Sequence, residues 1–401
     1  MSGERLGVYL DDVYRVSGPP GSPTVSSDRS FLTFVTALGE RFDELAVFGR
    51  TVHSAEASEY VLPAGTRLVA LPHYAVLSDV RRVLPAVLGT LRAMWSGLAH
   101  VDRVWAFGPH PFALAFAVMA LLRRKQVVLG VRQNSVELYE ARLSSRWSPA
   151  MLAVRFLDAA YRLLSLRLRT TVQGAVLARR FGGPRPGVLA MNESIVRDSE
   201  VVPAPLERDY LGTLQLLTVG RLEPEKHPYL LVDALARLQA ERPDRYRLTW
   251  VGRGPMEEEV HRYAAEAGVA DSIEFLSYVP FGEPLLSLYR RAHIFVHVSL
   301  SEGMPKVLIE ALASGTPTVA TAVGGVSAAL DGGRAGLLVP PDDLEALVAA
   351  VTRLADDAEL RRQLVEHGLR LARGLTLEAQ VAAVERFIRD PLRQGASAAP
   401  A

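Results

Sequence analysis

The 401-residue sequence predicts an α/β chain of two doubly wound domains, each built on a parallel sheet. Three observations carry that prediction. Short apolar runs alternate with helical patterns from end to end, as expected for parallel strands covered on both faces. The alternation is interrupted once, by a polar, proline-containing stretch from Asn192 to Glu207, and then restarts. The length also exceeds what a single hydrophobic core ordinarily serves.

In the first half, apolar runs predict strands at Leu6–Leu10, Leu45–Phe48, Arg67–Leu71, Val101–Phe107 and Val127–Val131. Helical patterns lie between them near 28–40, 77–98 and 111–124, and Met151–Arg169 reads as a further, amphipathic helix. In the second half, strands are expected at Leu214–Val219, Arg247–Val251, Ile273–Leu276, Ile294–Val298, Thr318–Ala320 and Gly336–Val339. Helices are expected at Glu225–Gln239, from Leu344 onward and at Leu377–Ile388. The expected domains are residues 1–200, joined by a last helix at about 376–392, and residues 208–375. The small-residue tail over 393–401 is expected to be disordered. Ligands of doubly wound sheets bind beyond the carboxyl ends of the strands, so the site is expected in a cleft between the two sheets.

Composition narrows the chemistry. The absence of cysteine excludes disulfides, thiolate metal sites and a cysteine nucleophile. The first apolar run breaks at Asp11-Asp12, and the longest, Pro111 to Leu122, is too short to span a bilayer. A cytoplasmic protein is therefore expected. Charge is uneven: residues 1–200 carry 24 Lys+Arg against 17 Asp+Glu, and residues 201–401 carry 21 against 27. Only Lys125, Lys226 and Lys306 are lysines among 45 cations, so a lysine marks a place where a compact ammonium suits better than a planar fork.

Two of those lysines fall in motifs. In Val219-Gly-Arg-Leu-Glu-Pro-Glu-Lys226, between a strand and a helix, Gly220 permits a tight turn, and Arg221 and Lys226 flank the loop at the strand's carboxyl end. Two cations there suit a diphosphate and its departure. Taken alone, the same loop also reads, more plainly, as a surface turn with two solvated cations. In Ser301-Glu-Gly-Met-Pro-Lys-Val-Leu-Ile-Glu310, Pro305 suits the first turn of a helix and Gly303 lets backbone approach a ligand closely. A helix opening there offers free N–H groups to an anion. Glu302 is expected just before this helix and Glu310 about two turns inside it, roughly 11 Å along the axis. The eight-residue interval alone means little, since Glu258/Glu266 and Glu266/Glu274 repeat it.

These residues resemble the retaining glycosyltransferases of family four, which have the GT-B fold. The resemblance runs from about Leu214 to Asp357 through Gly-Arg-Leu-x-Pro-Glu-Lys (220–226), Val-Gly-x-Gly-Pro (251–255), Phe-Leu-Ser-Tyr-Val (275–279), Glu-x7-Glu (302–310), Gly-Thr-Pro-Thr-Val-Ala (315–320), Val-Gly-Gly (323–325) and Gly-Leu-Leu-Val-Pro-Pro-Asp-Asp (336–343). It implies a GT-B pair of Rossmann-like domains, a nucleotide diphosphate sugar as donor, retention of anomeric configuration and no metal or other cofactor. It implies that Arg221 and Lys226 bind the diphosphate, Glu302 the transferred sugar and Glu310 the ribose. The backbone from Gly303 through Met304, Pro305 and Lys306 to Val307 would hold sugar hydroxyls and phosphate, Gly252 would line the donor site, and Tyr278-Val279 would lie near the base. His227-Pro228 follows the lysine where glycine is usual, so a locally different turn is expected.

The first half resembles the family only in layout. Gly18-Pro-Pro-Gly21 is a candidate phosphate loop or an ordinary turn. Relatives often carry a histidine after the strand that ends here at Val131; this chain has Arg132-Gln-Asn134 instead. His110 is a second candidate for touching donor sugar or acceptor, beside the plainer reading of a structural histidine between prolines. His297 reads as strand packing.

The acceptor is expected to be a lipid-linked sugar, another glycan precursor or a small molecule. Arg155, Arg162 and Arg169 recur every seven residues among apolar neighbours, which suits an anionic membrane surface. The alternative is a domain helix with its arginines in water. A nucleotide-sugar isomerase or hydrolase on the same scaffold, or a non-catalytic binding protein, would share the donor site. The cations are not interleaved with aromatics as nucleic-acid modules require, so nucleic acid is not an expected partner.

Overall fold

The computed structural model describes residues 4–19, 23–74, 80–136, 139, 148–183 and 185–390. The chain divides into two compact units, Met1–Ile195 with Gln380–Ala401, and Val196–Ala379. The expected tail over 393–401 and Gly21 of the glycine-proline loop lie outside the described residues.

The first unit holds β1 (Arg5–Ser17), β2 (Thr24–Ser27), β3 (Glu44–His53), β4 (Tyr60–Val61), β5 (Arg67–Leu71), β6 (Arg103–Gly108), β7 (Gln126–Val131), β8 (Arg169–Gln173) and β9 (Val188–Met191). Seven run parallel in the order β5-β3-β1-β6-β7-β8-β9, while β2 and β4 extend the sheet antiparallel beyond the end of β1. The sheet is thus mixed where an all-parallel one was expected. β1 outruns its apolar stretch because the pairing with β3 shifts register between Tyr9 and Val13. Asp11 and Asp12 fall in that irregularity, and the backbone ladder resumes beyond them.

Neither β8, which reads Arg-Thr-Thr-Val-Gln, nor β9, a short Val-Leu-Ala-Met run, is among the expected strands. Thr170 and Thr171 of β8 are buried because their hydroxyls donate to the carbonyls of Leu168 (3.2 Å) and Leu129 (3.3 Å). Arg169 opens this strand, so it does not continue the helix Pro149–Ser165, and its guanidinium pairs with Asp390. The supposed stripe of three arginines therefore does not exist. Among the described residues no helix is long and apolar enough to cross a membrane.

The second unit holds β10 (Leu214–Val219), β11 (Tyr246–Val251), β12 (Ile273–Leu276), β13 (Ile294–His297), β14 (Thr318–Thr321) and β15 (Leu337–Val339), all parallel, in the order β12-β11-β10-β13-β14-β15. Each corresponds to an apolar run in the sequence. Helices Pro228–Glu241 and Leu344–Asp356 pack with one apolar cluster, and Glu283–Arg291 and Lys306–Ala313 with another. The chain moves outward from β10 to β12, then crosses back to β13 beside β10. The order reverses between β10 and β13, and a crevice opens at such a switch point. The connection at 192–207 begins less loosely than expected, since Glu193 and Ser194 are buried.

Candidate active site

Two loops meet at the switch point of the second unit. The first follows β10. Gly252, at φ +140°, lies so close that a Cβ would sit 2.1 Å from the Gly220 carbonyl oxygen, and one on Gly254 would sit 2.1 Å from that of Leu222. Glycine at 252 and 254 thus lets the turn after β11 support the turn after β10. Gly220 itself has open space beside it and no left-handed φ, so the tight fit belongs to its neighbour. A single 3-10 turn, Pro224–Lys226, then carries Lys226 inward.

His227 itself adopts the left-handed conformation (φ 46°, ψ 53°) that glycine takes without strain. Its Nε2 lies 2.7 Å from Asp342 Oδ1, a contact that offsets the backbone cost.

The second loop follows β13. Ser299 Oγ and the Leu300 N–H both donate to the Glu225 carbonyl at 2.8 Å, tying the two loops together. The Ser299 N–H donates to Thr321 Oγ1 at 2.9 Å. Behind this loop sit Gly324 and Gly325, where a Cβ would lie 1.8 Å from the Glu302 carbonyl oxygen and 1.9 Å from that of Gly303. Any side chain there would push Glu302 out of place.

So held, Glu302 Oε1 meets Lys226 Nζ and lies 3.0 Å from His297 Nε2. Burial is the largest influence on this carboxyl and would raise its pKa. The hydrogen bond and charge of His297, together with Lys226, outweigh it and hold the group at about 2. His297 is therefore a neighbour of Glu302 and not mere strand packing. The signal available in the sequence was a polar residue inside the apolar run Ile-Phe-Val-His. Ser299, Thr321 and Asp342 carried no such signal.

Arg221 behaves differently from Lys226. Its exposed guanidinium lies 2.6 Å from Glu223 and 3.8 Å from Glu225, so it faces carboxylates of its own loop. Gly303 has open space beside it. The helix begins at Lys306, after Pro305 in extended conformation, and no side chain caps its start. The helix start therefore presents its partial positive charge without a side-chain cap. Met304 and Val307 pack against the apolar cluster beneath. Glu310 is only about one turn inside, because the helix starts later than the motif suggested. It is buried, its Oε2 accepts from Tyr289 Oη at 2.9 Å, and burial pushes its pKa up to about 7. Gly252 N–H donates to the Leu276 carbonyl at 2.9 Å, which brings its turn beside the segment leading to Tyr278, which is exposed, and Val279.

In the first unit, His110 and Arg132 are engaged within the fold. His110 Nδ1 accepts from the Phe112 N–H at 3.3 Å and caps helix Pro111–Leu122, while Nε2 lies 3.3 Å from Asp11. Tyr74 donates to Asp11 at 2.8 Å and Arg50 Nε lies 3.2 Å from it, so Asp11 is the shared partner of a polar cluster at the irregularity of β1. Burial lowers the His110 pKa, against the nearby Asp11. Arg132 forms two bonds with buried Glu193, at 2.6 and 2.9 Å, and lies over the Phe31 ring. Asn134 follows in a partly buried position, and Gly18 is exposed at φ 92°.

The model of the family described as glycosyl transferases group 1 matches residues 208–370. The second unit is a group 1 glycosyltransferase domain. The chain is 34% identical over 250 residues to D-inositol 3-phosphate glycosyltransferase 2 of Catenulispora acidiphila, and the match spans 58% of this chain and 58% of that relative. Across 96% of its length the chain is similar in structure to sucrose-phosphate synthase from Thermosynechococcus elongatus, with TM-score 0.69, 18% identity and 98% of that chain covered. It is also similar to Anabaena HepE in complex with UDP-glucose, with TM-score 0.62, 16% identity and coverage of 96% and 98%. At these identities the likeness establishes the GT-B fold, two Rossmann-like domains, with the group 1 domain as the second.

Proposed function

We propose that the chain transfers a sugar from a nucleotide diphosphate sugar to an acceptor hydroxyl, with retention at the anomeric carbon and without a metal ion. One observation carries this reading: Lys226, Glu302 and the uncapped start of helix Lys306–Ala313 share the switch point of the group 1 domain. The similarity to a structure that holds UDP-glucose supports it.

In this reading Glu302 holds Lys226 until a diphosphate replaces it as the counter-ion, and Glu302 then accepts from hydroxyls of the sugar. Open backbone at Gly220 and Gly303 admits the phosphates. As the anomeric C–O bond to phosphate breaks, Lys226, Arg221 and the helix start stabilise the departing diphosphate. The acceptor oxygen bonds to the same face of that carbon, and its proton passes to a β-phosphate oxygen. Replacing Lys226 with alanine should lower transfer about 100- to 1000-fold while leaving the fold intact. Near-normal turnover would refute the assignment. Product stereochemistry by NMR and activity in the presence of a chelator test retention and metal independence.

The acceptor is proposed to be met at an anionic membrane surface. Leu152, Phe156, Leu163 and Leu166 expose 49%, 69%, 67% and 63% of their surface along helix Pro149–Ser165 and its end. Arg162 and Arg167 are exposed among them. A row of apolar side chains rimmed by cations suits an interface between headgroups and acyl chains. Flotation with anionic vesicles at low salt should recover the protein. Its absence from the vesicle fraction, with transfer to free D-inositol 3-phosphate, would favour the soluble acceptor in the name of the relative instead.

A further inference from the structure

Glu310 sits in the group 1 domain with an unusual combination of features for a carboxyl assigned to ligand binding. It is buried, and one of its oxygens is already taken by a side chain from a different helix. That side chain, Tyr289, is itself fully buried on helix Glu283–Arg291. Its position is fixed from two sides: its ring packs on Phe295 of β13 with centroids 5.2 Å apart, and its carbonyl accepts from Thr316 Oγ1 at 2.7 Å. The hydroxyl of this fixed ring donates to Glu310 Oε2 at 2.9 Å.

We propose that Tyr289 is a positioning residue for nucleotide recognition, whose hydroxyl fixes Glu310 so that Oε1 is presented to the ribose diol of the donor. The inference rests on the donor site proposed above and on the ribose role that the family resemblance implies for Glu310. A diol donates two hydrogen bonds and is best received by a charged, oriented acceptor. Tyr289 supplies both conditions: it removes rotational freedom from the carboxyl and stabilises its ionised form.

A consequence follows for pH. Burial holds the Glu310 carboxyl at about 7, with Tyr289 and Lys306 favouring ionisation and Glu200 opposing it. Ribose hydroxyls bind the ionised form better than the neutral acid. Donor affinity therefore rises with pH through neutrality. Loss of the Tyr289 hydroxyl removes an influence that lowers this pKa, so the rise moves to higher pH.

The test uses the full chain and UDP-glucose, whose diphosphate is doubly esterified and does not titrate near neutrality. Affinity is measured by calorimetry between pH 6 and 8 for UDP-glucose and its 2′-deoxy analogue. The native protein should bind UDP-glucose up to about tenfold more tightly at pH 8 than at pH 6 and should discriminate against the analogue. Tyr289→Phe should weaken binding at pH 7 several-fold, shrink that discrimination and shift the profile upward. Glu310→Gln should flatten the profile, and this holds as a test even if Tyr289→Phe folds poorly. A Tyr289→Phe protein with native affinity, discrimination and profile would overturn the inference, as would a pH dependence that persists in Glu310→Gln. Absence of binding to UDP-, GDP-, ADP- and dTDP-glucose by the native protein would overturn the donor site itself and this inference with it.

Discussion

Glu302 Oε1 accepts from Lys226 and faces His297, so a carboxylate of the same domain holds the Lys226 ammonium. The carboxyl's pKa lies below its unfolded value, so it contributes stability above about pH 4.5, and that contribution is lost as pH falls towards about 2. Glu302→Ala leaves a cation and a buried imidazole without their acceptor. It should cost about 1.5–3 kcal/mol at pH 7, with a smaller gap to the native protein at pH 3.5, both read by denaturant unfolding. Glu310 has the opposite sign. Its pKa is raised to about 7, so its burial lowers stability as pH rises from about 4.5 through 7. Glu310→Gln should therefore gain stability relative to the native protein at pH 8 and not at pH 4.5, which thermal unfolding at the two pH values would show.

At the scale of elements, the site depends on backbone approaching backbone. Gly324 at φ 49° abuts the Glu302 carbonyl, and an added Cβ has no room. Gly324→Ala should destabilise the domain by about 2 kcal/mol or more and weaken donor binding, measurable by unfolding and by titration with a nucleotide sugar. His227→Gly should be nearly neutral, since relief of the left-handed strain balances the lost contact with Asp342, whereas a β-branched residue there should cost about 1–3 kcal/mol. Much of this scale was legible: the six strands of the second unit announce themselves as apolar runs, and the glycines and Glu-x7-Glu mark the loops between them. β8 was not, because Thr170 and Thr171 are buried by satisfying their hydroxyls and not by being apolar. Nor was the start of the helix after Pro305, because proline suits the residue before a helix as well as its first turn. The contact of His297 with Glu302 depends on how a strand end meets a loop, which no local pattern encodes.

At the scale of the whole molecule, the two units carry different information. The family model matches within the second unit, over residues 208–370, whereas the likeness to solved structures spans both units. The first unit's candidate residues, His110 and Arg132, are bound to Asp11 and Glu193, partners separated from them by about a hundred and about sixty residues, and sequence spacing gives no hint of such pairings. The row Leu152, Phe156, Leu163 and Leu166 is exposed on helix Pro149–Ser165 and its end, and the helix stops before Arg169. Phe156→Glu should abolish recovery with anionic vesicles while leaving unfolding unchanged, since the side chain is already exposed. The central claim is that the cation of Lys226 serves a pyrophosphate. The direct measurement compares UDP with uridine, titrated into the native protein and into Lys226→Ala. The account predicts that the substitution weakens UDP at least about tenfold and leaves uridine unaffected. Equal affinity of both proteins for UDP, or a parallel loss for uridine, would contradict it.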